Sequence, residues 1–335
     1  MTVLITGAAG FIGAAVAHRL IERGETVIGI DDLSVYYPVS LKEARRDRLL
    51  ALGGDRFRFL HCDFADTKAL DAALSGVAFE TIVHLGAQPG VRYSIDHPHV
   101  YAQSNLVGHL NLLEVARQRG VRHMVYASSS SVYGMAAKLP LSLDDRVDHP
   151  ISLYAATKKA DELMSESYAH LYRIPLTGLR FFTVYGPWGR PDMMVWSFTE
   201  KILAGEPIPI FNNGEMWRDF TYIDDIVAGV LACLGGPPAD DGAAKPGGSV
   251  APHALYNIGN NRCERLLGVI EVLEAACGRI ARREFLPMQP GDVLRTYADI
   301  DAISRDHGYA PTTTVAQGVP RFVEWYKAYH ARESA

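Results

Sequence analysis

Two residues of the stretch YAATKKADEL can do proton chemistry together. Tyr154 and Lys158 stand four apart on a strong helical pattern, so they share one helix face and the ammonium lies beside the phenol. A phenol titrates near ~10 in water, and ionising one at neutral pH takes roughly 4 kcal/mol of preferential stabilisation of the phenolate. A neighbouring cation supplies part of that in a dry site, and a second positive charge must supply the rest. A Tyr-x-x-x-Lys spacing also occurs on ordinary surface helices, so its company decides its meaning. That company is VYASSSSVYG, Val125 to Gly134, with four consecutive serines straight after an apolar strand. Serine is a poor core residue and a mediocre strand former, so the run reads as a solvated turn or as a wall of hydroxyls. With Tyr154 as the base, Ser129 can hydrogen-bond both the reacting hydroxyl and the phenol, while its neighbours face the remainder of a substrate.

The second positive charge is suggested at the other end of the chain. TGAAGFIG puts Gly7, Gly10 and Gly13 at the turn from the first strand into the first helix, with Phe11 and Ile12 between the last two. Glycine is needed where the chain turns tightly, where backbone approaches a pyrophosphate and where helix meets sheet closely. The helix N-terminus then offers free N–H groups to the phosphates. An acid, Asp31, ends the second strand. Its carboxylate can accept both hydroxyls of an adenosine ribose and would repel a 2′-phosphate, which points to NAD rather than NADP. Oxidised nicotinamide carries the missing charge. Asp63 in HCDFAD, followed by Phe64, can reach the adenine edge, or it can serve as a helix N-cap.

These groups need a frame. The runs TVLIT, ETVIGID, FRFLHCD, ETIVHLG and RHMVYASSS are apolar on both faces, as parallel strands covered by helices must be. Helical patterns lie between them over 12–22, 66–74 and 100–119. A long helix over 153–172 precedes another strand, LTGLRFF. The alternation predicts a Rossmann-like doubly wound parallel sheet of the α/β class. From Val184 onward Pro and Gly become frequent and helices shorten, as expected for a smaller C-terminal α/β lobe over the carboxyl ends of the strands. Residues 1–183 are expected to carry the dinucleotide and the Ser/Tyr/Lys set, and 184–335 mainly the substrate, with some segments returning to the first unit. The stretch Gly235 to His253, rich in Gly, Pro, Ala and Asp, reads as a mobile surface loop. There are no internal repeats.

Of the 335 residues, 48% are hydrophobic and 21% charged, enough apolar material for a large core. The net charge of −5, with both signs interspersed, gives no basic field for nucleic acid or an anionic membrane. No apolar run approaches the ~20 residues of a membrane span, and MTVLITGAAGFIG lacks the parts of a signal peptide. Cys62, Cys233, Cys263 and Cys277 are scattered without a CxxC pair, so free buried thiols are expected rather than a disulfide or a zinc site. The expected setting is cytoplasmic.

Taken together, the chain resembles the extended short-chain dehydrogenase/reductase superfamily, and within it the UDP-glucuronate 4-epimerases. TGAAGFIG and YxxxK belong to the whole superfamily, whereas DDLSVYYPVSLKEAR and RFFTVYGPWGRPDM are far more specific; GVRYSIDHP, RDFTYIDDI and FVEWY complete the match over nearly the whole chain. Gly86 in HLGAQPG departs from the alanine usual in the family, with no effect expected, and the insertion after Leu234 lies outside the motifs.

The resemblance implies that Tyr154, as phenolate, takes the proton of the sugar 4-hydroxyl while C4 gives hydride to NAD. The 4-keto sugar turns over on its diphosphate, and hydride returns to the opposite face. It further implies Phe64 and Asn105 among the cofactor contacts, Arg218 on the diphosphate, and Asp292 on the uridine ribose. Phe211, Arg92 and Arg190 are further substrate candidates, the two arginines being equally readable as structural ion pairs. A 4-ketoglucuronate is a β-keto acid ready to lose carbon dioxide, and hydroxyls of Ser129, Ser130, Ser131 and Thr183 can hold its carboxylate and oppose that loss. Related 4,6-dehydratases place Asp-Glu where Ser130 and Ser131 stand, and related decarboxylases place glutamate at the position of Ser131. Epimerisation therefore remains, with UDP-glucose or UDP-N-acetylglucosamine as the alternative substrates and a non-catalytic NAD sensor as a distant reading. A homodimer is expected through the helices around 100–119 and 153–172.

Overall fold

A computed structural model of the chain describes residues 1–136, 138–289 and 291–333. Six strands within the first 181 residues are β1 (Thr2–Thr6), β2 (Thr26–Asp31), β3 (Phe57–His61), β4 (Thr81–His84), β5 (His123–Ser129) and β6 (Leu176–Phe181). A seventh, His253–Ile258, comes from far along the chain and pairs with β6. All seven are parallel, in the order seventh strand, β6, β5, β4, β1, β2, β3. Central strands such as β4 are buried throughout, which is why they read as unbroken apolar runs. The order reverses beside β1, and at that switch the carboxyl ends of β1 and β4 part to leave a crevice for ligand.

Helices cover both faces. On one face α1 (Phe11–Glu22) and α2 (Val39–Gly53) pack with C-terminal helices, among them Ile223–Gly235, over a core that includes Val3, Ile5, Val83, Val125 and Leu179. On the other, α3 (Thr67–Ala73), the helix Gly108–Arg119 and the helix Leu153–Tyr172 close over Leu4, Ile82, Met124 and Tyr126. The helical pattern over 100–119 holds: Pro98–Tyr101, a π-helical segment, Ala102–Val107, and Gly108–Arg119 follow one another without a break. Pro98 sits in the first turn of this stretch, where its missing N–H costs nothing, and the widened π turn shifts the faces of the helix that follows.

The Gly/Pro/Ala stretch after Leu234 is exposed over much of its length yet tied down. Asp240 pairs with Arg173, Leu255 N donates to Pro246 O at 2.9 Å, and the Ser249 hydroxyl donates to Glu166 at 2.9 Å. The expectation of free movement is thus met by defined anchors onto the helix Leu153–Tyr172 and its C-cap. Cys62, Cys233 and Cys277 are free and buried; Cys263 is free but exposed, contrary to the expectation of burial. Among the described residues no helix is long and apolar enough to cross a membrane.

Candidate active site

β1 ends at Thr6, and the chain turns through Gly7 at φ +70°, a conformation that favours glycine. A Cβ on Gly7 would stand 2.7 Å from Gly86 N, one on Gly10 2.9 Å from Gly7 O, and one on Gly13 2.0 Å from the same oxygen. The turn closes tightly enough to present the first N–H groups of α1 to a ligand, so the cradle fits a dinucleotide pyrophosphate. Gly86 belongs to this cradle. A Cβ there would meet Phe64 Cε1 at 2.6 Å, so its departure from alanine does matter: it lets the Phe64 ring close against the turn.

Asp31, at the end of β2, accepts from Ala9 N at 3.0 Å and Leu33 N at 2.9 Å, and burial raises its carboxyl above the usual carboxylate value. It lines the cavity, as an acid reading a ribose must. Asp63 also lines it and accepts from Ala65 N at 2.8 Å. The N-cap of α3 is Asp66, whose side chain accepts from Ala69 N, so the capping role considered for Asp63 falls to another residue.

Ser129 ends β5 beside Phe181 of β6. Its hydroxyl accepts from Ser131 N at 3.2 Å and from the Ser131 hydroxyl at 2.9 Å. Ser129, Ser130 and Ser131 share a cavity wall with Tyr154, Lys158 and Thr183. Ser128 sends its hydroxyl the opposite way, as strand alternation requires, into Glu162 at 2.7 Å. All four serines therefore line the cavity, but the Ser128 hydroxyl turns away to fasten the strand. Glu162 is held by Arg180 through two bonds of 2.7 and 2.9 Å, which fix the helix Leu153–Tyr172 against β5 and β6. Lys158 donates to Ala127 O at 2.9 Å and to Asp161 Oδ2 at 3.0 Å, while Tyr101 meets the Tyr154 ring edge-on at 6.1 Å.

These walls belong to one cavity of about 1020 Å³ that runs from the glycine turn to Arg218 and Asp292. Arg218 donates to Trp217 O and Leu294 O, which orient its guanidinium. Arg190 lines the cavity but is engaged by Asp192, which also accepts from the Tyr36 hydroxyl. Three candidates stand behind or beside the wall rather than on it. Arg92 pairs with Asp292 at 2.8 Å and lies 4.7 Å over the Phe211 ring, so Arg92 and Phe211 reach the cavity through Asp292. Asn105 is buried with its amide committed to Gln88 O at 3.2 Å and Thr157 Oγ1 at 3.0 Å, which braces the π-helical segment against the helix Leu153–Tyr172.

Sequence reasoning missed the opening of DDLSVYYPVSLKEAR. Asp32, Ser34, Tyr36, Tyr37 and Lys42 all line the cavity, and Lys42 donates to Ser34 O and Oγ, each at 2.7 Å. Arg45 of the same motif is buried without a carboxylate hydrogen-bond partner among the described residues. It makes five hydrogen bonds, to Ala9 O, to the Tyr37 hydroxyl, twice to Trp188 O and to Gly189 O. One guanidinium thus joins the glycine turn to the Trp-Gly-Arg-Pro segment. The length and specificity of the motif were the available signal.

Comparison with known proteins agrees with this geometry. The model of the NAD dependent epimerase/dehydratase family matches residues 3–259. A protein of Rhizobium meliloti described as a probable UDP-glucuronate 4-epimerase is 46% identical over 338 residues, covering 99% of this chain and 98% of its own. UDP-glucuronate 4-epimerase 1 of Arabidopsis thaliana is 44% identical over 335 residues, covering 98% of this chain and 77% of its own. Among solved structures, the UDP-glucuronic acid 4-epimerase of Bacillus cereus, in complex with UDP-glucuronic acid and NAD, superposes with a TM-score of 0.88 at 32% identity, covering 98% of this chain and all of the other. The chain belongs to the NAD dependent epimerase/dehydratase family.

Proposed function

We propose that the protein is an isomerase that interconverts UDP-glucuronate and UDP-galacturonate at C4, using NAD held throughout the reaction. The observation that carries this reading is a single cavity joining the glycine cradle, Tyr154 with Lys158, and a wall of hydroxyls in which residues 130 and 131 are serines. When bound, NAD would supply a reversible hydride acceptor for C4. Tyr154 removes and later returns the proton of the 4-hydroxyl; Lys158, fixed by Ala127 O, holds positive charge behind it. Ser129, itself held by Ser131, offers its hydroxyl to the oxygen at C4. Arg218 anchors the diphosphate while the sugar turns.

Ser130, Ser131 and Thr183 keep the charge of the sugar carboxylate localised by hydrogen bonding, which opposes decarboxylation of the β-keto acid. A general acid or base for water elimination is missing from positions 130 and 131, so the ketone is reduced again. In this reading residues 1–183 serve NAD and catalysis and 184–335 mainly the nucleotide. The exposed apolar side chains Val107, Leu110, Leu163 and Leu171 of the two helical segments form a homodimer contact, in a cytoplasmic setting with reduced thiols. Light scattering of the purified protein measures the dimer.

The test is NMR of the products after UDP-glucuronate is supplied without added cofactor. A galacturonate anomeric signal is expected. A UDP-pentose would show a decarboxylase instead, and turnover of UDP-glucose alone would show a neutral-sugar epimerase. Ser131→Ala is expected to raise any pentose by-product; an unchanged product distribution would remove the carboxylate-holding role.

A further inference from the structure

Tyr154, Lys158, Asp161 and Ser165 recur at spacings of four, three and four along the helix Leu153–Tyr172, so they form one stripe. Lys158 is 2% exposed and Asp161 0%. The carboxylate accepts from the Lys158 ammonium at 3.0 Å through Oδ2, and its Oδ1 has no hydrogen-bond partner among the described residues. Burial pushes the Asp161 carboxyl up to about 6 against the pull of Lys158, so it is ionised at neutral pH at a cost that a charge partner must repay. Here that partner is the lysine of the active site.

No other group around the pair can take the place of Asp161. On the same helix Glu162 is committed to Arg180, Ser128 and Lys159. From the helix Gly108–Arg119, His109 is kept neutral by burial, and from β4 His84 is pushed down to about 3 for the same reason. From β5, Tyr126 is kept a neutral phenol by burial. Lys158 and Asp161 are thus the charged pair of this buried stripe, with Tyr154 one turn before the lysine.

We propose that Asp161 is a positioning residue that sets how much of the Lys158 charge reaches Tyr154 and the nicotinamide. This deepens the function proposed above and rests on its redox step. The carboxylate does two things at once. Together with Ala127 O it fixes the ammonium on the helix face, and its negative charge offsets part of the ammonium's field. Tyr154 and Asp161 are seven residues apart, about 10 Å along the helix axis at ~1.5 Å per residue. Over that distance in a poorly screened site one unit charge displaces a titration by about one pH unit.

The test replaces Asp161 by asparagine in the NAD-loaded enzyme. Asp161→Asn keeps an oxygen for the ammonium and removes the charge. Where the limb lies above about 6, so that wild-type Asp161 is still charged, the acid limb of the kcat profile is expected to move down by up to about one pH unit, with KM for the nucleotide sugar unchanged. In a second measurement sodium cyanoborohydride, a hydride donor, reduces the bound NAD with UDP present, followed by the near-ultraviolet absorbance of reduced nicotinamide. Several-fold faster reduction than in wild type is expected. This readout needs no sugar turnover, so it remains decisive if the substrate is another nucleotide sugar. A variant that loses thermal stability but keeps the wild-type pH profile and reduction rate overturns the proposal. If the asparagine variant does not fold, Asp161→Ser gives the same comparison with less bulk.

Discussion

Glu162 gives the sharpest stability prediction because its surroundings are fully determined. Its carboxylate accepts from Arg180 at 2.7 and 2.9 Å, from Ser128 at 2.7 Å and from Lys159 at 3.2 Å, and it is buried. Burial alone would push the carboxyl up, but the hydrogen bonds and charge of Arg180, with Lys159 and Ser128, outweigh it and the net shift is downward. In Glu162→Gln the amide oxygen can still accept one bond from Arg180 beside the Tyr133 hydroxyl at 3.0 Å, but the buried guanidinium loses its counter-charge and its second strong acceptor. Removing one partner of a buried pair costs about 3–5 kcal/mol. At roughly 2 °C per kcal/mol for a chain of this size, the melting temperature falls by about 6–10 °C. The sign with pH follows from the depressed value. The wild-type contribution is complete above the unfolded glutamate pKa of about 4.3 and is lost as pH falls through the folded value. The gap between wild type and variant should therefore narrow in acid. Urea unfolding at several pH values measures both effects, and Glu162→Leu with Arg180→Met should recover much of the loss because no unpaired charge remains. A single variant within about 0.5 kcal/mol of wild type at neutral pH would refute the argument that this pair fastens the catalytic helix.

Two further outcomes follow from the site. Tyr154→Phe removes the proton acceptor and should lower kcat by about 10²–10⁴-fold with little change in KM, measured by the same NMR assay; near-normal turnover would exclude Tyr154 as the base. Gly86→Ala forces a Cβ to 2.6 Å from Phe64 Cε1 and 3.0 Å from Gly7 N, so it should cost about 1–3 kcal/mol and reduce the NAD that copurifies with the protein. Unchanged melting and cofactor content would show that Phe64 yields freely.

The sheet and the glycine turn are legible in the sequence because both obey short-range rules: strands buried on two faces are continuously apolar, and a turn with no room for Cβ must be glycine. Helix α2 is not legible in the same way. Its segment, VSLKEARRDRLLALG, is crowded with charge, yet Lys42 is buried against Ser34 and Tyr37, and Arg45 by partners most of which are distant in sequence. Nothing local announces that Arg45 will find the carbonyls of Ala9, Trp188 and Gly189. The roles of Asn105, Arg92 and Phe211 blurred for a related reason, since residue type marks them as polar or stacking groups but only the fold decides which wall they stand behind. The serine run was half legible. Strand alternation separates Ser128 from Ser129, whereas the bond from Ser131 to Ser129 depends on the 3₁₀ turn that follows.

The five bonds of Arg45 have a bearing on the fate of electrons. By riveting the nucleotide-binding turn to the Trp188–Gly189 backbone, they oppose any hinge-like gape through which a dinucleotide would leave. With the proposed chemistry, each oxidation must then be repaid by the very molecule that was oxidised. A ketone that escaped would strand the enzyme in its reduced form, with no exchange from solution to reset it. Such a catalyst stays alive only by never letting go of its half-finished product.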